Sequence, residues 1–172
     1  ASVNALGTQY VAAWALSGKI DGVYWATSSA FGSAVTTFIG QNIGAGKYER
    51  MRKGIKTALV FAISSSIFLS CIIALFFEPL IHIFTDDAET LIYARSFGKY
   101  LLPCIWIFSF VDIFGGAIRG SGQTAQVTLI SVFGICVFRV IWLAVTLRLC
   151  NDILFVYLCY PISWTFCALL TV

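Results

Sequence analysis

The stretch TALVFAISSSIFLSCIIALFF, residues 57–77, decides the fold class of this chain because it is apolar and carries no charged side chain. About 20 consecutive apolar residues are enough for an α-helix to cross the hydrocarbon core of a bilayer. A strand of a membrane β-barrel would instead alternate polar and apolar residues, and the run Cys71–Phe77 does not alternate. The stretch therefore predicts a membrane-spanning helix.

Comparable apolar runs lie on both sides of residues 57–77 and predict an all-α, polytopic transmembrane bundle. We predict about five spans in a single membrane domain, at residues 10–45, 56–78, 97–118, 124–147 and 153–172. Pro103 and Pro161 fall inside two of these spans. Each proline removes a backbone donor and is expected to kink its helix.

The composition supports a membrane protein and excludes several other classes. The 172 residues are 59% hydrophobic and only 11% charged, whereas a soluble domain carries about 25% charged residues. A soluble enzyme and a disordered segment are excluded on this ground, and a net charge of +3 does not indicate a nucleic-acid partner. The sequence shows no catalytic triad, phosphate-binding loop or cluster of metal ligands, so we expect neither catalytic residues, a metal site nor a cofactor.

Basic residues predict the orientation of the chain in the membrane. The connector 46–56 holds five of the eleven Lys and Arg residues, and the positive-inside rule places it in the cytoplasm. The next connector, residues 78–89, then lies outside, and we expect Asp86 to cap a helix there with Glu89 as its partner. The predicted location is the plasma or inner cell membrane.

Small residues recur every four positions along the first predicted span, at Ser28, Gly32, Thr36, Gly40 and Gly44. This spacing lets a second helix approach closely and predicts helix packing through Gly32, Gly40 and Gly44.

Two adjacent amides, Gln41 and Asn42, follow near the end of this span. They either cap the helix at the cytoplasmic surface or face a polar passage.

Four segments resemble the second half of a multidrug and toxic compound extrusion (MATE) transporter: NALG at 4–7, VAAW at 11–14, FIGQNIGAGK at 38–47 and AIRGSGQT at 117–124. The resemblance implies helices eight to twelve of a twelve-helix carrier with two similar lobes. We therefore expect this sequence to be part of a longer protein whose amino-terminal lobe is its partner.

Members of that family export organic, often cationic compounds, and the resemblance implies the same activity here. The exchange would be driven by Na⁺ or H⁺ through alternating access, with the lipid bilayer and small organic substrates as further partners. Asp112 lies in the helix that matches the tenth helix of the family. One branch of the family has a cation-coupling acid in that helix, about one helical turn further from the Arg-Gly motif than Asp112 is. Arg119 belongs to the Arg-Gly motif and is a further candidate.

Asp112 and Arg139 are charged residues within predicted spans, where a charge costs about 2.5–3.5 kcal/mol at a helix centre. Their predicted depths differ by about 13 Å, so we expect no simple ion pair between them. Asp112 either reaches the inner interface or titrates in a cavity. Arg139 holds an acid elsewhere, lines the substrate path or ties helices together. Lys19 and Asp21 are expected to form a surface pair near the outer boundary.

Two alternatives remain open from the sequence. The first is a flippase for lipid-linked saccharides from the wider superfamily, although only Arg139 would supply positive charge deep within a span. The second is a membrane assembly subunit that does not itself transport.

Overall fold

The computed structural model of the chain describes residues 8–85, 87–149 and 154–171. Within these ranges the chain is helical and contains no strand, which confirms the predicted all-α bundle. The α-helices are α1 Thr8–Ile20, α2 Gly22–Gly44, α3 Tyr48–Leu75, α4 Phe77–His82, α5 Ala88–Leu101, α6 Phe108–Gly120, α7 Thr124–Ser131, α8 Phe138–Leu149 and α9 Leu154–Thr171. A 3₁₀ segment, Leu102–Ile107, joins α5 to α6, and a π-helical segment, Val132–Val137, joins α7 to α8.

Three helical stretches in the described part of the chain are long and apolar enough to cross a membrane. They cover Tyr48–Leu75, Thr90–Gly120 and Thr124–Thr146, and a shorter apolar helix follows at Phe155–Thr171. Most large apolar side chains of α3 point outward, including those of Val60, Phe61 and Phe68. Such an exposed apolar face is suited to contact with lipid tails.

The first predicted span, residues 10–45, consists of two helices that meet at Asp21. Asp21 has a ψ angle of −6°, well away from the usual α-helical value of about −42°. The backbone hydrogen bonds nevertheless continue, since Asp21 N donates to Ser17 O at 3.0 Å and Trp25 N donates to Asp21 O at 3.1 Å.

The sequence predicts that Lys19 and Asp21 form a surface pair, and the surface location is wrong for Asp21. Asp21 is buried in the bundle, while Lys19 is exposed and its ammonium lies 5.3 Å from the ring centroid of Phe84. The prediction failed because α2 follows α1 directly across Asp21, so this residue lies within a longer helical rod.

The predicted kink at Pro103 takes the form of the 3₁₀ segment, and neighbouring helices satisfy its backbone. Ser70 Oγ donates to the Leu102 carbonyl at 2.6 Å, and Tyr24 Oη donates to the Ile105 carbonyl at 2.8 Å. Irregular backbone at membrane depth needs such partners because no water is available there. Pro161, by contrast, lies inside α9, which runs through it as one α-helix.

Two long helical rods pack side by side. The first consists of α1 and α2, and the second consists of α5, the 3₁₀ segment and α6. Helix α1 packs chiefly against α5, and α2 packs chiefly against α6, while α9 covers α6 and α8. The two breaks are neighbours, because Leu102 and Ile105 line the same small cavity as Asp21.

The connector 78–89 carries an ion pair that affects the predicted orientation. Arg95 donates to both carboxylate oxygens of Glu78, from Nε and from one terminal nitrogen, each at 2.8 Å. These hydrogen bonds hold the pKa of Glu78 below its usual value. Under the positive-inside rule, Arg95 counts against an outer location for this part of the chain. Its positive charge is compensated by the carboxylate of Glu78.

Helix α5 is capped by Asp87. Its Oδ2 accepts hydrogen bonds from Thr90 N at 3.0 Å and Thr90 Oγ1 at 2.6 Å, and these bonds hold the pKa of Asp87 below its usual value. The predicted cap, Asp86, lies outside the described residues. The cap is displaced by one position because the helix begins at Ala88.

Candidate functional site

Helices α2 and α6 meet along a line of small residues that we call the α2–α6 seam. It contains Ser28, Gly32, Thr36 and Gly40 from α2 and Asp112, Gly116 and Gly120 from α6. A Cβ atom on Gly116 would lie 2.6 Å from the Gly32 carbonyl oxygen, and one on Gly120 would lie 2.5 Å from the Thr36 carbonyl oxygen. Any side chain at either position would displace the opposite backbone, so the two helices approach as closely as glycine allows.

Thr36 and Gly40 complete the central part of the seam. Thr36 Oγ1 donates to the carbonyl of Gly32 at 2.9 Å and lies 3.1 Å from the carbonyl of Gly116, so its hydroxyl links the two backbones. At Gly40 a Cβ would lie 3.5 Å from the Gly120 carbonyl. Gly32 and Gly40 therefore lie where the spacing of small residues predicts a second helix.

Gly44 does not take part in this contact. It is exposed, and a Cβ atom built there would meet nothing within 4 Å. Helix α6 ends at Gly120, opposite Gly40, so Gly44 lies one turn beyond this contact and its packing role stays a prediction.

The carboxyl of Asp112 lies at the other end of the seam, facing α2. Ser28 Oγ donates a hydrogen bond to Asp112 Oδ2. Asp112 also interacts electrostatically with Arg119, which follows two turns later on α6. The carboxyl thus accepts a hydrogen bond from one helix and lies within electrostatic range of a cation on its own helix.

Arg119 reaches back along the seam beside two glycines. Its terminal nitrogens lie 3.5 Å from the Cβ positions of Gly32 and Gly115. A Cβ atom at either position would be in ordinary van der Waals contact with the guanidinium. The Arg-Gly motif therefore supplies a cation to the seam and, through Gly120, a close backbone contact.

Three helices contribute hydroxyl groups next to Asp112, and we call Tyr24, Ser28, Ser66 and Ser109 the hydroxyl network. Tyr24 is 1% exposed and interacts with the other three side chains. The oxygens of Ser66 and Ser109 are 2.7 Å apart. Each hydroxyl can both donate and accept, so the network can pass a proton or offer oxygen atoms to a cation.

A small cavity adjoins the hydroxyl network between α2 and α3. Its volume is about 10 Å³, and its polar lining includes Tyr24, Ser28, Ser65 and Ser66. That volume is close to the minimum needed to hold one water molecule. Ser64 is not part of this group, since its Oγ donates to the Val60 carbonyl at 2.8 Å on the exposed face of α3.

Arg139 lies apart from Asp112, as its predicted depth indicates. Its Nε donates to Ser163 Oγ at 2.9 Å, and its guanidinium carbon lies 4.1 Å from the ring centroid of Tyr160. Both partners belong to α9. Among the alternatives left open by the sequence, these contacts favour a tie between α8 and α9.

Gln41 and Asn42 lie at the end of α2. Asn42 is 6% exposed, and its Nδ2 donates to the Phe38 carbonyl at 2.7 Å within the same helix. Gln41 is exposed, and Gly46 turns the chain with a φ angle of 68°. These contacts favour helix termination over the lining of a passage.

Sequence reasoning missed Tyr24, Ser109, Gly116 and Gly120. The two glycines carry a recognisable signal, because Asp112, Gly116 and Gly120 repeat the four-residue spacing of α2. Tyr24 and Ser109 carry no such signal, since their roles depend on which helices meet.

Comparisons with known proteins identify the family. Residues 1–145 match the MatE family. A probable multidrug resistance protein of Bacillus subtilis, YoeA, is 26% identical over 133 residues, covering 77% of this chain and 29% of the relative. A probable multidrug resistance protein of Thermotoga maritima, NorM, is 30% identical over 110 residues, covering 62% of this chain and 23% of the relative.

A third relative carries a different name. An FAD transporter of Shewanella oneidensis is 30% identical over 96 residues, covering 56% of this chain and 21% of the relative. The chain thus spans less than a third of the length of each of these relatives. Its match to the family over most of its length, together with its apolar helices, shows that the chain belongs to the MatE family of membrane transporters.

Proposed function

We propose that this chain forms the carboxyl-terminal lobe of an efflux antiporter that exports organic, often cationic compounds in exchange for Na⁺ or H⁺. Its partner is an amino-terminal lobe of the same protein, and the two lobes alternate access to a central site. The observation that carries the proposal is the carboxyl of Asp112, held in the α2–α6 seam by Ser28 and facing Arg119. Family membership and the names of the relatives from Bacillus and Thermotoga support export of drugs.

The position of Asp112 explains how a cation can act on the helices. A charged carboxylate attracts Arg119 and accepts a hydrogen bond from Ser28, so it favours the arrangement in which α2 and α6 are closely packed. A proton or Na⁺ on the carboxylate weakens the attraction to Arg119. Binding of the cation thereby shifts the balance between two packing arrangements by its different affinity for each.

Exchange follows from the fact that the seam supplies a single carboxylate, Asp112. One negative charge neutralises one monovalent cation, so a cationic substrate and the coupling ion compete for it. Release of one cation is then required for binding of the other. The hydroxyl network offers the incoming ion a partly polar approach through the otherwise apolar bundle.

Reconstitution of the complete transporter tests the proposed function. The protein is placed in liposomes loaded with a fluorescent organic cation, and an inward gradient of either Na⁺ or H⁺ is imposed. We expect release of the dye to accelerate with one of the two gradients. Release that is equally slow with both gradients and without a gradient would contradict the antiport.

The proposed orientation places the connector 46–56 in the cytoplasm of a plasma or inner membrane. In a cysteine-free background, a Lys47→Cys variant is expected to react with a membrane-impermeant thiol reagent only from the cytoplasmic side. Lys47 is exposed at the start of α3, so the new thiol is accessible. Ile83→Cys is the matched control, because Ile83 is 73% exposed in the opposite connector. The reverse pattern of labelling would invert the topology.

A further inference from the structure

Asp21, at the break between α1 and α2, is a second acidic residue buried in the bundle. It is 9% exposed. Its Oδ1 atom is buried and has no hydrogen-bond partner among the residues that the structure describes, while the carboxyl group interacts with the side chain of Trp25. Burying a charged carboxylate oxygen without a hydrogen-bond partner costs free energy. Either this cost serves a function or the carboxyl group carries a proton that removes the charge.

Asp21 lines a small enclosed cavity of about 10 Å³. The other lining residues are Ser17, Ile20, Ile73, Phe77, Phe97, Gly98, Leu101, Leu102 and Ile105. Ser17 Oγ donates to the Ala13 carbonyl at 2.9 Å within α1. A hard cation would take several oxygen ligands, and these walls are almost entirely apolar. The cavity is therefore suited to a proton on the carboxyl group.

Among the side chains that the structure describes, none brings a positive charge to the Asp21 carboxyl. On its own rod, Lys19 extends to Phe84 at the surface and Tyr24 donates to the Ile105 carbonyl. Helix α3 and the 3₁₀ segment contribute only apolar side chains to the cavity. Without a counter-ion, the neutral acid is the form that these surroundings accommodate.

Three charged side chains of α4 and α5, Glu78, Arg95 and Lys99, line an adjacent crevice. This crevice has a volume of about 310 Å³ and is lined by Ala74, Phe77, Glu78, Arg95, Gly98, Lys99, Leu102 and Pro103. Its charged side chains, Glu78, Arg95 and Lys99, are exposed. The crevice is open to the surface at the end of the bundle that carries the connector 78–89.

The ring of Phe77 lies between the crevice and the cavity of Asp21. Phe77, Gly98 and Leu102 line both spaces. A Cβ atom on Gly98 would lie 2.7 Å from Phe77 Cζ, so the ring rests directly on the glycine. The Phe77 ring is therefore the candidate gate between Asp21 and the crevice, beside Gly98 and Leu102.

We propose that Asp21 is a proton-binding carboxyl that exchanges its proton through the crevice when the Phe77 ring leaves Gly98. In the closed state the Asp21 carboxyl is neutral and holds its proton. When the ring moves, a water molecule in the crevice accepts the proton, leaving the carboxylate, and the reverse step returns a proton to Asp21. The proposal does not depend on Asp112 or on which ion drives transport.

Infrared spectroscopy of the complete transporter in membranes tests the protonation of Asp21. The carbonyl stretch of a neutral carboxyl group is expected in the wild type near neutral pH and is expected to be lost in Asp21→Asn. Asp21→Glu should restore a band at a shifted position, which covers the case in which asparagine impairs folding. Glu49→Gln, at an exposed carboxyl in the first turn of α3, should leave the band unchanged. Identical spectra of wild type and Asp21→Asn would overturn the proposal.

The role of Phe77 is tested by deuterium exchange of the same band. Transfer to D₂O shifts the carboxyl band as the proton is replaced, and Phe77→Ala is expected to accelerate this shift by about tenfold or more, because local opening limits exchange. The matched control is Phe76→Ala, since Phe76 is 53% exposed and does not line the cavity. Equal exchange in the two variants would show that Phe77 does not close the path. Neither readout requires transport, so the two proposals can fail separately.

Discussion

Asp112→Asn in the complete transporter is expected to abolish efflux driven by an ion gradient. Asparagine has nearly the same size as aspartate and its side-chain oxygen can still accept the hydrogen bond from Ser28. It cannot take up a proton or neutralise Na⁺, and it does not attract Arg119. Because the change removes charge while preserving shape, the expected loss reaches the rate of protein-free liposomes.

The measurement compares initial efflux rates of equal amounts of reconstituted protein. Glu49→Gln is the matched control, since it also converts an acid to its amide but at an exposed position in the first turn of α3. The control should retain wild-type efflux, and both variants should be expressed at wild-type levels. Unchanged efflux in Asp112→Asn would remove this residue from the coupling mechanism.

Gly116→Ala is expected to destabilise the transporter through the α2–α6 seam. The new methyl group would be placed 2.6 Å from the Gly32 carbonyl oxygen, a backbone atom that cannot rotate away. Overpacking of this kind costs about 1–3 kcal/mol. The higher helix propensity of alanine offsets about 1 kcal/mol at most, so the net effect is a loss of stability and a separation of the two helices.

Thermal unfolding of the purified transporter in detergent measures this loss as a lower Tm. Gly44→Ala is the matched control, because the same methyl group would meet nothing within 4 Å there. It should leave Tm unchanged or raise it. A Tm for Gly116→Ala equal to that of the Gly44→Ala variant would show that the seam is not closely packed.

The fold was predictable where hydrophobicity alone decides it. Apolar runs that are long enough to cross a bilayer as a helix predict the spans. Pro103 marks the 3₁₀ segment because proline cannot donate a backbone hydrogen bond. The break at Asp21 was not predictable in this way. Asp21 precedes a long uncharged run, so its charge indicated a membrane boundary, whereas the structure continues the rod into α1.

The candidate site was predictable on one helix at a time. The spacing of Ser28, Gly32 and Thr36 shows which face of α2 is small, but not which helix it contacts. Asp112 and Gly116 have the same spacing on α6, and only the three-dimensional arrangement pairs them. Gly44 lies outside the contact for the same reason, because the length of the partner helix determines where a contact ends.

The breaks at Asp21 and Pro103 lie next to each other, so both helical rods are irregular at the same level. On either side of these breaks, α1 packs against α5 and α2 packs against α6, while α9 contacts both α5 and α6, and Tyr24 of α2 shares a buried cluster with Phe97 and Leu101 of α5. Bending there would require the hydroxyls of Tyr24 and Ser70 to leave the carbonyls of Ile105 and Leu102, and α9 to shift against α5 or α6. The two irregular segments lie side by side, so a bend at this level would leave the regular helices at both ends unchanged.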